Sequence, residues 1–155
     1  MRDEIDDALD NLGEVMDAVI RSAEYEAQRI CEPFWERSLE IRRQSRPKDW
    51  FKYTVFVRGE EKTTGSYTLR IDWAELIWIP AASGAGQKQW QMRSKFLRRT
   101  KTGKYSIRQF GKAGAEEKAL ILETMNQLEK VNDMIRLIGS MRKSKANVMR
   151  KYRER

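Results

Sequence analysis

The N-terminal part of the chain carries apolar side chains at the spacing of a helix. Apolar positions advance in steps of three and four through Ile5, Leu9, Leu12, Met16, Val19, Ala23, Ala27, Ile30 and Phe34. This pattern predicts a helical region over residues 1–45 with one apolar stripe. Pro33 has no backbone N–H to donate, so "CEPFW" predicts either a kink or the first turn of a second short helix that ends near Gln44.

After Trp50 the pattern changes to a period of two, which predicts strands. The first strand alternates over Phe51–Val57, and "GEEKTTGS" supplies a turn. The second strand places five apolar residues on one face: Tyr67, Leu69, Ile71, Trp73 and Ile77. The small residues of "PAASGAGQ" (80–87) then predict a flexible loop.

A third strand follows this loop, with Trp90, Met92 and Phe96 on one face and Arg93, Lys95 and Arg99 on the other. Gly103 suits the positive φ of a short hairpin turn, and Tyr105 and Ile107 predict a fourth strand. We expect the apolar face of this hairpin to pack on the core or on the flanking helices. Its basic face would then form a ribbon of a width that fits the major groove of DNA.

The last segment returns to helical spacing. Its apolar stripe is Ile121, Met125, Leu128, Val131, Ile135 and Ile138. Beyond Gly139 the chain is basic, and the pattern fits either a continuing helix or a frayed end. We therefore predict an α+β fold with a long N-terminal helix region, a four-stranded antiparallel β-meander and a long C-terminal helix. We expect one domain over 1–155, with helix at 1–45, sheet at 50–110 and helix with a basic tail at 114–150.

Charge is distributed in blocks along the chain. The net charge of +8 combines an acidic start, where residues 1–26 hold nine acidic residues against two basic ones, with two basic segments. Residues 80–112 hold nine basic residues and no acidic ones, and residues 136–155 hold eight basic residues against one acidic one. Such locality is typical of a surface that binds a polyanion.

The composition also excludes several kinds of chemistry. The chain has no histidine, so Ser/His and Cys/His nucleophile pairs and histidine-metal nicking sites are excluded. Asp72 and Glu75 are the best carboxylate pair, but their spacing of three in a strand directs them to opposite faces. We expect no enzymatic activity, cofactor or metal. Cys31 is alone and is interpreted as a packing residue. No apolar run approaches the length of a membrane span and the N-terminus is acidic, so we expect a cytoplasmic protein without membrane contact.

The two basic segments are the candidate DNA-binding surfaces. The candidate residues are Arg93, Lys95, Arg98, Arg99, Lys101, Lys104, Arg108 and Lys112 in the first segment, and Arg142, Lys143 and Lys145 in the second. Two alternatives remain open: basic residues also protect edge strands from aggregation, and cations also suit the C-terminal end of a helix. The five tryptophans could stack on unpaired bases, although core packing is the better explanation for most of them.

Three stretches resemble the MobI-type mobilisation proteins of conjugative plasmids and integrative conjugative elements. They are "ICEPFWE", "LRIDWAELIW" and "RSKFLRRTKTGKYSIRQF", followed by the long helix. The resemblance implies an auxiliary factor that recognises the origin of transfer in double-stranded DNA and assists a separate relaxase. The helices could also join two copies into a homodimer. The alternatives are a protein-binding adaptor that uses its long helices, an RNA-binding module and, more remotely, a carboxylate nuclease.

Overall fold

The computed structural model describes residues 3–81 and 89–153. Two long helices enclose a sheet in the sequence: α1 (Glu4–Gln44), β1 (Tyr53–Glu61), β2 (Tyr67–Ala81), β3 (Gln89–Phe96) and α2 (Ala115–Arg153). The strand order is β1-β2-β3, and β3 runs antiparallel to β2. The two predicted helical regions are present, but the described sheet has three strands, so the predicted four-stranded meander is wrong. Most of the loop predicted at 80–87 lies outside the described residues.

The predicted fourth strand is replaced by a loop and a short 3-10 helix at Ile107–Phe110. Ser106 and Gln109 form a capping box, in which the Ser106 N–H donates to Gln109 Oε1 at 2.8 Å. These bonds turn the chain at the position where the predicted strand would have to extend. Gly103 has a φ of +77°, as expected for a turn, and its N–H donates to the Thr100 carbonyl at 2.8 Å.

Helix α1 continues through Pro33, so the predicted alternative of a second helix is wrong. Its first turn is capped by Asp3, whose Oδ1 accepts the Asp6 N–H at 2.9 Å. Cys31 and Phe34 are buried on either side of the proline and hold this stretch of helix against the core. The buried stripe of α1 is Met16, Ile20, Ala23, Ala27, Ile30, Cys31, Phe34, Ser38 and Ile41. Helix α2 likewise continues through the basic tail to Arg153, so of the two alternatives for this tail the continuing helix is the one observed.

The chain divides into two compact units. The first unit draws its described residues from Met1–Gln28, Val57–Arg70 and Leu128–Arg155, and the second from Arg29–Phe56 and Ile71–Gln127. In the first unit α1 and α2 run antiparallel, because Asp3 Oδ2 accepts the Tyr152 hydroxyl at 2.6 Å while Asp17 pairs with Arg142 at 2.7 Å.

The second unit has an aromatic core. Trp73 meets the rings of Phe34 and Phe110 edge-on, with centroids 5.5 and 5.3 Å away. The Glu117 carboxylate lies beside this core and accepts the backbone N–H groups of Lys52 and Tyr53 at 2.8 and 2.9 Å. Burial raises the pKa of Glu117, and these backbone hydrogen bonds oppose that rise.

Strand β2 changes its buried face part-way along. Leu69, Ile71 and Trp73 are buried at odd positions, but Ala74 and Leu76 are buried at even positions beyond them. The Trp73 N–H donates to the Tyr105 hydroxyl at 3.3 Å at this point. Ile77 is 40% exposed as a result, so its predicted place on the buried face is wrong.

Candidate nucleic-acid interface

Strand β3 forms an edge of the described sheet, and its residues 90–96 are exposed. Its register with β2 places Arg93 opposite Ile77 and Lys95 opposite Glu75. Ile77 is exposed whereas its neighbour Leu76 is buried, so Arg93 and Lys95 share the solvent face of the strand pair. Both candidate side chains are therefore accessible to a large ligand.

The opposite face of β3 differs from the prediction. Trp90, Met92 and Phe96 are 42%, 46% and 45% exposed, so the expectation that they pack on the core or on the helices is wrong. They occupy the same face as buried Ala74 and Leu76, but β3 is an edge strand of the sheet, which has no fourth strand among residues 3–81 and 89–153. Only Phe96 has a described ring contact, with Phe56 at 5.6 Å. Sequence reasoning missed this exposed apolar row because it placed β3 inside a hairpin.

Arg99 anchors the loop that follows β3. Its guanidinium donates to the Ile71 carbonyl and, at 3.2 Å, to the Gly103 carbonyl. It also lies over the Tyr105 ring, 5.0 Å from the centroid, and 3.9 Å from the Asp72 carboxylate. Arg99 lies beyond the end of β3, and its guanidinium is occupied by these contacts.

Lys112 anchors the other end of the basic segment. Its ammonium pairs with the Glu75 carboxylate, and this hydrogen bond raises the pKa of Lys112. Its backbone N–H donates to the Tyr53 hydroxyl at 3.1 Å. The two carboxylates of the candidate pair, Asp72 and Glu75, thus each meet a cation of the basic segment.

The remaining candidates of the basic segment are on the surface. Arg93, Lys95, Arg98, Lys101, Lys104 and Arg108 are all exposed. The Arg98 carbonyl accepts the Gln109 side-chain amide, which ties the backbone of the loop to the capping box. The loop is therefore held by backbone and anchor contacts while its cationic side chains face solvent.

The candidates on α2 are divided between pairing and exposure. Arg142 donates to Asp17 on α1 at 2.7 Å. The ammonium of Lys145 lies against Gly13 on α1, so close that a methyl group at Gly13 would be 2.9 Å from Lys145 Nζ. Lys143 points to solvent. Two of these three side chains thus contact α1.

Two other features concern residues 3–81 and 89–153: groups of metal ligands, and helices long enough to cross a membrane. There, no three cysteine or carboxylate side chains are grouped as a metal site would require. Neither long helix in the same ranges contains an apolar run sufficient to cross a bilayer.

A family model described as MobI protein matches residues 23–145, which is most of the chain. The chain belongs to the MobI family. This MobI protein is thus a mobilisation protein, and the match includes α1 from its middle onward, the whole basic segment and most of α2. Searches of curated proteins and of solved structures found no match.

Proposed function

We propose that this MobI protein binds double-stranded DNA at the origin of transfer of a conjugative element and assists a separate relaxase, without enzymatic activity of its own. The observation that carries the proposal is that some cations of the basic segment anchor it to the fold while others are exposed. Arg99 and Lys112 hold the segment in place, while six other cations are exposed. Lys104 takes part in an interaction within the chain, and the other five are the proposed contacts: Arg93, Lys95, Arg98, Lys101 and Arg108. A group of cations with no acidic residue between them in the sequence suits the phosphate backbone.

Sequence recognition requires contacts to base edges as well as to phosphates. The predicted basic ribbon of two strands is replaced by β3 and an anchored loop, so we do not propose that a two-stranded ribbon enters the major groove. Arg93 on β3 and Arg98 on the loop carry guanidinium groups, which can bond two acceptors of one guanine at once. We assign phosphate binding to all five exposed cations. Arg93 and Arg98 are assigned base reading in addition, because the five N–H groups of a guanidinium can bond a phosphate and a base edge together.

A non-enzymatic role is supported by the chemistry of the available groups. The sequence has no histidine. Asp72 and Glu75, the best carboxylate pair, lie beside Arg99 and Lys112. Cleavage of the DNA strand is therefore assigned to the relaxase. Incubation of supercoiled plasmid with the protein and Mg²⁺ or Mn²⁺ tests this assignment, since any nicked product would contradict it.

The main experiment compares duplexes that tile the transfer region of the parent element with shuffled duplexes of the same composition. We expect one tile to bind more tightly than its shuffled version, and a variant with Arg93→Ala, Lys95→Ala and Lys101→Ala to lose binding. The control carries Arg43→Ala and Lys118→Ala, two exposed cations outside the basic segment. Equal affinity of the triple variant and the wild type would refute the interface. Tighter binding of single-stranded RNA of the same length would favour the RNA-binding alternative.

We also infer a homodimer through the helices of the first unit. An open apolar groove of about 480 Å³ lies between α1 and α2 and is lined by residues such as Val15, Val19 and Met134. A second groove continues at Leu12, Met141 and Val148. Met134, Met141 and Val148 are spaced by seven, as are Leu12 and Val19, so both grooves follow the same helix stripes.

Charge favours a second copy as the occupant of this groove. The start of α1 is acidic and the end of α2 is basic, and the two lie side by side. A twofold axis parallel to the helices would place the α1 of each copy on the α2 of the other, so that acidic residues face basic ones. A twofold axis across the helices would place acidic residues on acidic ones. We therefore infer the first arrangement, a four-helix bundle in which each α1 packs antiparallel to the α2 of the other copy.

A further inference from the structure

The apolar face of β3 is an unusual feature of the basic segment. Trp90, Met92 and Phe96, here called the β3 apolar row, alternate along one edge strand and are each more than 40% exposed. Soluble proteins seldom leave large apolar side chains together on their surface unless the patch binds something. The row lies on the strand that also carries Arg93 and Lys95.

The charges around the row indicate the chemical class of its ligand. Residues 80–115 include no acidic residue, and the carboxylate opposite Lys95, that of Glu75, pairs with Lys112. The strand therefore presents a net positive charge to a ligand of the row. Because β3 lies at an edge of the described sheet, a ligand that follows the strand can touch both of its faces. Such a ligand needs flat apolar groups for one face and anionic groups for the other.

A DNA strand with unpaired bases meets both requirements, whereas a fully paired duplex hides the faces of its bases. Aromatic side chains beside cations are the usual means of binding such strands, since every base has a face that can stack. Trp90 and Phe96 are six residues apart, which is about 20 Å along a strand. This is long enough for more than one base to lie along the row.

We propose that the β3 apolar row binds unpaired bases of DNA, with Trp90 and Phe96 stacking on them and Arg93 and Lys95 holding the phosphates. This inference rests on the proposed DNA-binding function and adds that the bound DNA contains unpaired bases. The protein would prefer a locally opened duplex to a closed one. An apolar segment of a protein partner is the competing occupant, and it would give the row no role in DNA binding.

The test uses three labelled DNA probes of equal length: a single strand, a duplex with a central unpaired bubble and a fully paired duplex. Fluorescence anisotropy measures the affinity of the full-length protein for each probe. We expect Trp90→Ala to weaken binding to the single strand and the bubble by about 5- to 150-fold and to leave the paired duplex within about twofold. Trp90→Phe should restore most of the loss. Leu122→Ala, at an apolar position of similar exposure on α2, is the control.

Trp90→Lys separates stacking from charge. It adds a cation, so binding to the paired duplex should strengthen while the preference for the bubble disappears. Retained bubble preference in both Trp90→Ala and Trp90→Lys would overturn this inference, and the proposed function would stand if the paired duplex still bound through Arg93, Lys95 and Lys101. A wild-type protein that binds none of the probes would overturn both proposals. Thermal unfolding of each variant verifies that the fold is intact.

Discussion

The salt dependence of DNA binding gives the most direct measure of the candidate interface. Of the eleven candidate residues, Arg99, Lys112 and Arg142 pair with carboxylates within the chain. Lys145 packs on α1, and Lys104 takes part in another interaction within the chain. Lys143 is on the other basic segment. Five exposed cations remain on the first segment, and each neutralised phosphate contributes about −0.9 to the slope of log K against log salt.

The expected slope is therefore about −4.5, so affinity should fall about 500-fold between 50 and 200 mM NaCl. The variant with Arg93→Ala, Lys95→Ala and Lys101→Ala keeps two of the five contacts. Its slope should be about −1.8, a fall of only about 12-fold over the same range. Fluorescence anisotropy with one duplex at four or more salt concentrations gives both slopes.

Two controls make this prediction sharp. Arg43→Ala with Lys118→Ala removes two exposed cations elsewhere and should leave the slope near −4.5, by the same relation of about −0.9 per phosphate. Arg99→Ala removes a charge that is engaged in the fold. We expect this variant to have a lower melting temperature and a slope that stays near −4.5, by the same relation of about −0.9 per phosphate. If the triple variant and the wild type had the same slope, phosphate binding would have to lie elsewhere.

Three further predictions concern stability, reactivity and assembly. Glu117→Ala leaves two backbone N–H groups without their acceptor and should lower the free energy of unfolding by about 3 kcal/mol in urea titrations. Because the folded pKa of Glu117 is raised above 4.5, its proton stabilises the fold at low pH, and this stabilisation is lost as pH rises through the raised pKa. Glu117→Gln should abolish that decline, and an unchanged pH profile would contradict the assignment. Burial raises the pKa of Cys31 to about 12, so a thiol reagent at pH 8 should label it only after unfolding. Rapid labelling of the native protein would disprove this. Met141→Glu should yield monomers in sedimentation velocity, whereas Leu122→Glu should not, and identical profiles would refute the helical dimer.

Much of the fold follows from periodicity. The long stripes of α1 and α2 predicted both helices, because a spacing of three and four repeated over many turns has few other interpretations. The first strands were also predicted, with turn residues between them. The fourth strand was wrong because Tyr105 and Ile107 provide only two apolar positions. The capping pair of Ser106 and Gln109 is a stronger local signal, and it bends the chain.

The candidate site was predicted less completely. Charge counting located the basic segment, but it could not tell that Arg99 and Lys112 would meet carboxylates of β2. Such pairing depends on the register of distant segments, which composition does not contain. The change of face after Trp73 is visible in the sequence, because Glu75 interrupts the odd apolar positions while Ala74 and Leu76 are apolar at even ones. The prediction was wrong at Ile77 because it continued the odd face across Glu75.

The Glu117 carboxylate also bears on how the chain is assembled. It lies 64 and 65 residues after the two amides that it binds at the start of the sheet. A nascent chain leaving the ribosome therefore exposes the beginning of β1 well before the acceptor for these amides has been synthesised. The hydrogen bonds from the Lys52 and Tyr53 amides can form only after the first turn of α2 has been synthesised. Contacts between residues so distant in sequence slow folding. A truncated product that ends before this residue would carry both helix α1 and the sheet, yet would lack the group that secures their junction.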